Sequence, residues 1–281
     1  MTIAEQEDKL FEEWIKHEQE WLLTEGYFED KQTVYNLFCY DGLHVTGEPD
    51  KSSGYWTMKP DNRQEKLWQE QTIKPLFITK DYPAGDDEKE GIDARLDTGF
   101  DNRTDYVYHK FYARYLFLLY GITHITRDGS YPSFEEANNR DLYLDNFHHN
   151  AAVVRINAKK IAGGKDCPKQ VLCDYVSHDK VFILKQIDFY KPNVIVCCDG
   201  SDYCNTKESN PILDMLLKEK YKDAKLEIFQ GEKYQFIYYS PSYNTVIIHE
   251  WHVSMRIRYL DYYEAVPQLA RFIKEKHLFF K

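Results

Sequence analysis

No CxxC pair occurs in this 281-residue chain, which removes the spacing that zinc ribbons and iron–sulfur clusters use. The six cysteines stand at 39, 167, 173, 197, 198 and 204. Positive charge is also scarce: 36 Lys and Arg against 46 Asp and Glu leave a net charge of −10. No global field therefore draws in a polyanion, although a local basic groove stays possible. The longest plainly apolar strand, Val194-Ile195-Val196-Cys197-Cys198, is far short of the ~20 residues of a membrane helix. The start MTIAEQEDKLFEEW carries acids where a secretory leader needs bases. Reduced thiols and a cytoplasmic location are the expectation, with no membrane partner. No internal repeat, low-complexity segment or G-x-x-x-x-G-K-[ST] loop is present. His249-Glu250-Trp251-His252 has one residue too few for a zincin helix, and on a strand His249 and His252 diverge. Neither a metal site nor a cofactor is expected.

Aromatic residues, by contrast, are abundant, at 16% of the chain. They serve either as rigid core or as walls that stack a flat ligand. Helical spacing of Leu10, Phe11, Trp14, Ile15, Trp21 and Leu22 predicts a helix over 4–24. A polar, turn-rich loop or peripheral extension is expected from Gly42 to Asn62. A second helix is predicted near 104–120, and Ser133-Phe134-Glu135-Glu136 matches a capping box opening a helix toward Phe147. A helix from Ser177 stops at Pro192 and runs directly into strand 193–198, the pattern of a parallel crossover. Further strands are read at 75–79, 152–157, 226–230, 234–240 and 244–249, with a terminal helix at 260–276. Strands alternating with helices predict a three-layer α/β/α domain around a mostly parallel sheet. The boundary is set at 70/71, with residues 1–70 as a helical extension packed on an α/β domain of residues 71–281.

Ligands of such sheets bind beyond the carboxyl ends of the strands. Three of those ends carry conspicuous polar residues: Asp81 after LFIT, Asn157 after AVVRI, and His252 after VIIHEW. Lys159, Lys160 and Lys165, with Arg155, surround Asn157 and form the densest basic patch in the chain. The patch reads either as a solvated loop or as a phosphate or nucleic-acid contact.

ITKDYPAG, VVRINAKKIAGGK, LKQIDFYKPNVIVCCDG and WHVSMR, in that order over residues 75–275, resemble the motifs of the uracil-DNA glycosylase superfamily. The resemblance implies that Asp81 is the catalytic carboxylate and that His252 faces the base carbonyl. It makes Asn157 the reader of the base edge, Tyr82 the nearest stacking aromatic, and Ser254, with Arg256 beside it, a phosphate contact. Thr79, Lys80, Tyr82-Pro83 and Val253 depart from the family pattern. Two functions follow as expectations. The first is hydrolysis of the N-glycosidic bond of uracil or a related base in single-stranded or unpaired DNA. The second is a non-catalytic protein of the same fold that binds a base, nucleotide, nucleic acid or protein partner.

Overall fold

Thr2 starts the first helix by a reciprocal cap: its hydroxyl accepts from Glu5 N–H, and the Glu5 carboxylate accepts from Thr2 N–H. The computed structural model describes residues 1–44, 49–50, 57–58, 63–80, 93–96, 106–162, 167–200, 210–227, 236–251 and 258–280. Helix α1 (Ile3–Thr24) leads to α2 (Lys31–Leu37), β1 (Gly42–Leu43), the short ribbon β2 (Pro49–Asp50) and β3 (Thr57–Met58), and α3 (Arg63–Glu70). Then come β4 (Pro75–Thr79), α4 (Tyr106–Thr123), α5 (Phe134–Ala137), α6 (Arg140–Asp145) and β5 (Val154–Asn157). Helix α7 (Lys169–Tyr190), β6 (Val194–Gly200), α8 (Pro211–Met215), β7 (Lys225–Glu227), β8 (Phe236–Ser240) and β9 (Thr245–Trp251) follow. The chain closes with α9 (Tyr259–Tyr263) and α10 (Ala265–Lys276).

Seven strands form one sheet in the order β1-β5-β4-β6-β9-β8-β7. The central four, β5, β4, β6 and β9, are mutually parallel, while β1, β8 and β7 join antiparallel. These four are the strands that carry the quoted motifs, so the expected single sheet is present. Every residue of β4 and of β9 is buried, as strands covered on both faces must be.

Alternation along the strands divides the core in two. Phe77, Val153, Val194, Val196, Val246 and Ile248 face a layer that includes α4, α9 and α10. Leu76, Ile78, Val154, Ile156, Ile195 and Ile247 face a layer that includes α1 and α7. This is a three-layer α/β/α arrangement. No helix among the described residues is long and apolar enough to cross a membrane.

Several expectations need correction. Gly42 and Leu43 are not loop: they add an antiparallel edge strand to β5. Gly42 sits at φ +147°, and a Cβ there would collide with the Glu7 carboxylate and the Tyr190 hydroxyl, so glycine is required by close approach. Helix α1, within the extension read as residues 1–70, packs on the sheet. Phe11, Trp14, Ile15 and Leu22 of α1 pack in the same cluster as the strands. Helix α7 begins eight residues earlier than Ser177, at Lys169, and ends where Lys191 turns left-handed before Pro192. Past the Ser133 cap, α5 lasts four residues, and Asn139 then recaps the chain into α6.

Candidate functional site

Because β4, β5, β6 and β9 are parallel, their carboxyl ends all lie along one edge of the sheet. The chain leaves β4 after Thr79, β5 after Asn157 and β9 after Trp251 at that edge. Neighbouring strands lie about 4.8 Å apart, so β5 is one strand from β4 and about 14 Å from β9. Asp81, Tyr82, Lys165, His252, Ser254 and Arg256 lie outside the described residues.

Asn157 is described and almost wholly buried. Its Oδ1 takes the Thr79 hydroxyl, from the paired position on β4. Its Nδ2 has no hydrogen-bond partner among the described residues. A buried amide donor left unpaired costs about 1–3 kcal/mol, so this one calls for an acceptor from outside. The turn after it is held to β4 as well: Ala158 N–H donates to Thr79 O at 2.8 Å, and Lys159 N–H to Lys80 O at 2.9 Å.

Asp41 fixes the backbone of Asn157 from behind. Its Oδ2 accepts the Asn157 N–H at 2.8 Å, and its Oδ1 pairs with the Lys160 ammonium. That ammonium also donates to Gln186 Oε1 at 3.0 Å and lies 4.8 Å from the Trp14 ring centre. Gln186 Nε2 in turn donates to Asp41 O at 2.8 Å and to Glu7 Oε1 at 3.3 Å. Burial pushes the Glu7 carboxyl up to about 8, against the opposing pull of Arg95, whose Nη1 is 3.6 Å away.

This network corrects the basic patch. Lys160 is completely buried and Lys159 nearly so, and the Lys159 ammonium donates to Ile161 O and lies 5.3 Å from the Tyr175 ring centre. Neither lysine stands at the rim as a phosphate contact. The run of cations looked solvated along the chain, but a buried ammonium needs charge and hydrogen-bond partners, and the interior supplies them. Lys160 instead positions Asn157, through Asp41.

A second polar cluster went unnoticed in the sequence. On the sheet face that packs against α1, α7 and α8, Asp199 Oδ1 lies 3.1 Å from His249 Nε2 and accepts the Cys197 thiol at 3.1 Å. Asp199 Oδ2 accepts Ile212 N–H at 3.0 Å and Leu213 N–H at 3.3 Å, satisfying the first turn of α8. Burial alone would raise the Asp199 carboxyl, but His249, the thiol and the helix N–H groups outweigh it and leave the carboxyl lowered. Burial raises Cys197 and Cys198, so both remain thiols rather than nucleophilic thiolates. The signal that singled out Asp81, a carboxylate closing an apolar strand, was equally present at Asp199. The facing histidine was not legible, because β6 and β9 are about 50 residues apart.

Neither the known family models nor the curated proteins include a match to this chain.

Proposed function

We propose that the protein binds uracil, or a base of like hydrogen-bonding pattern, at the carboxyl edge of the sheet with Asn157 reading its edge. The unpaired Nδ2 of Asn157 carries this reading. With Oδ1 engaged by Thr79, the buried Nδ2 is the amide atom left to donate. Such a donor suits a carbonyl acceptor like uracil O4 and opposes the amino group that cytosine presents there. In the finer reading the domain is uracil-DNA glycosylase-like and hydrolyses the N-glycosidic bond. Water oxygen bonds to the sugar C1′ as the C1′–N bond breaks, and the departing base takes up a proton. Asp81 would stabilise the cationic sugar and orient the water, and His252 would donate to the base carbonyl where negative charge develops. These two roles rest on the motif resemblance.

Burial of Lys159 and Lys160, together with the net charge of −10, favours single strands or unpaired bases over duplex. Fewer phosphate contacts leave little counterion release to offset unpairing, which costs a few kcal/mol. The same two observations favour the non-catalytic alternative, a binder of a free base or nucleotide.

The test is release of free uracil from uracil-containing single-stranded DNA by the full chain. Asp81→Asn should abolish turnover while leaving binding, and Asn157→Ala should weaken discrimination between uracil and cytosine. Calorimetric binding of uracil or its nucleotide without base release supports the alternative. Absence of both binding and release defeats both readings.

A further inference from the structure

Helices α1 and α7 each present an adjacent histidine–carboxylate pair to the other: His17-Glu18 and His178-Asp179. His17 Nε2 lies 3.7 Å from Asp179 Oδ1, and His178 Nε2 lies 4.0 Å from the same oxygen. One ligand atom from each of these three residues falls within 4.8 Å of the others. The two imidazoles stack at 4.0 Å, and Trp21 stacks on His178 at 4.1 Å, which holds both rings in place.

The carboxylates supply the second, independent observation. Glu18 and Asp179 are fully buried, and none of their four oxygens accepts from a backbone N–H, hydroxyl or lysine among the described residues; the two carboxyls face each other as a pair that can share a proton. The Trp14 indole faces Asp179 without completing one. Lys160 is engaged by Asp41 and Gln186, and Lys159 donates to Ile161 O. Two carboxylates left facing each other in an apolar layer are costly unless a cation or a shared proton joins them.

We infer that His17, His178 and Asp179, with Glu18 behind them, form a binding site for a divalent transition-metal ion of the zinc type. Two imidazole nitrogens with carboxylate oxygens are a donor set that zinc accepts readily. Bonds of 2.0–2.2 Å in a tetrahedral site place donors about 3.4 Å apart. The observed 3.7 and 4.0 Å exceed that separation by about 0.3 and 0.6 Å, and the remaining ligand pair lies within 4.8 Å, so to close on an ion the rings tilt out of their stack and His17 Nε2 leaves the His178 carbonyl 3.4 Å away. Ion entry is open, since the His17 side chain is 35% exposed and that of His178 23%. Such an ion would clamp α1 to α7 from helices some 160 residues apart. It would lie outside the carboxyl-edge site, as a structural centre.

The test uses the full chain stripped with EDTA and titrated with Co²⁺, then with Zn²⁺. One equivalent of Co²⁺ should give visible bands of low-symmetry cobalt without thiolate charge transfer, and Zn²⁺ should displace it. His178→Gln and Asp179→Asn should each weaken Zn²⁺ at least about tenfold. His17→Gln alters a half-exposed ring, so it keeps the test valid if a buried substitution unfolds the chain, which circular dichroism reports. The inference falls if wild-type protein gives no such spectrum, if the folded variants bind Zn²⁺ as tightly as wild type, or if blocking the cysteines abolishes binding.

Discussion

Replacing Lys160 by Met tests whether the buried network, rather than a surface contact, is what that lysine serves. The substitution keeps most of the apolar stem and removes only the ammonium. Lys160 and Asp41 side chains are 0% and 1% exposed, so no water replaces the lost partner. Removing one member of a buried ion pair costs about 3–5 kcal/mol, because the remaining charge stays desolvated. Asp41 keeps the Asn157 N–H and a longer contact from Gln186, which places the loss near the lower end of that range. A loss of about 3 kcal/mol in a chain of this size lowers the melting temperature by roughly 6–12 °C. Urea unfolding should show a lower midpoint at unchanged slope. The exposed pair Lys180–Glu219, 2.8 Å apart with side chains 42% and 39% exposed, is the control. Lys180→Met should leave the urea midpoint close to that of wild type. The double variant Asp41→Asn/Lys160→Met should recover much of the loss, because no buried charge then remains. If Lys160→Met lies within about 0.5 kcal/mol of wild type, the ammonium is solvated and the buried-network account is wrong.

Three further outcomes follow from the same geometry. Gly42→Ala should destabilise the fold by about 1–3 kcal/mol, since the new Cβ meets Glu7 and Tyr190 at a positive φ; an unchanged urea midpoint would contradict the close approach. Glu7 holds its proton up to about pH 8 when folded but only to about 4.5 otherwise, so the folded state binds more protons and stability falls as pH rises through that window. Glu7→Gln should flatten this decline between pH 5 and 8, and an undiminished slope in the variant would assign it to another group. Asp199→Asn should cost about 1–3 kcal/mol at pH 7, through loss of the charge that faces His249 and the start of α8; the lowered carboxyl also means that this contribution is present above the ordinary carboxylate range and disappears as pH falls through the folded value, so the variant should lose less stability than wild type on acidification.

Local pattern alone determined the central parallel strands of the sheet and the long helices that flank it. PLFIT and the VII within TVIIHEW are short, continuous apolar runs rich in β-branched residues, which read as strands buried on both faces. The step from α7 through Pro192 into β6 likewise fixed a parallel crossover, because proline stops the helix where the apolar run begins. Those constraints act within a few residues, and they also placed Asn157 at a carboxyl edge. Burial of Lys159 and Lys160 was not accessible in this way. An AKK run after a strand is polar in any local window, and Asp41, 119 positions from Lys160, and Gln186 make the interior placement of that lysine tolerable. The pairing of β1 with β5, the Asp199–His249 contact and the meeting of His17 with His178 are long-range in the same sense. Each depends on which helices and strands pack side by side, a choice made by the whole core at once. Periodicity tells which face of an element is buried, but the partner across that face is decided only when the chain folds.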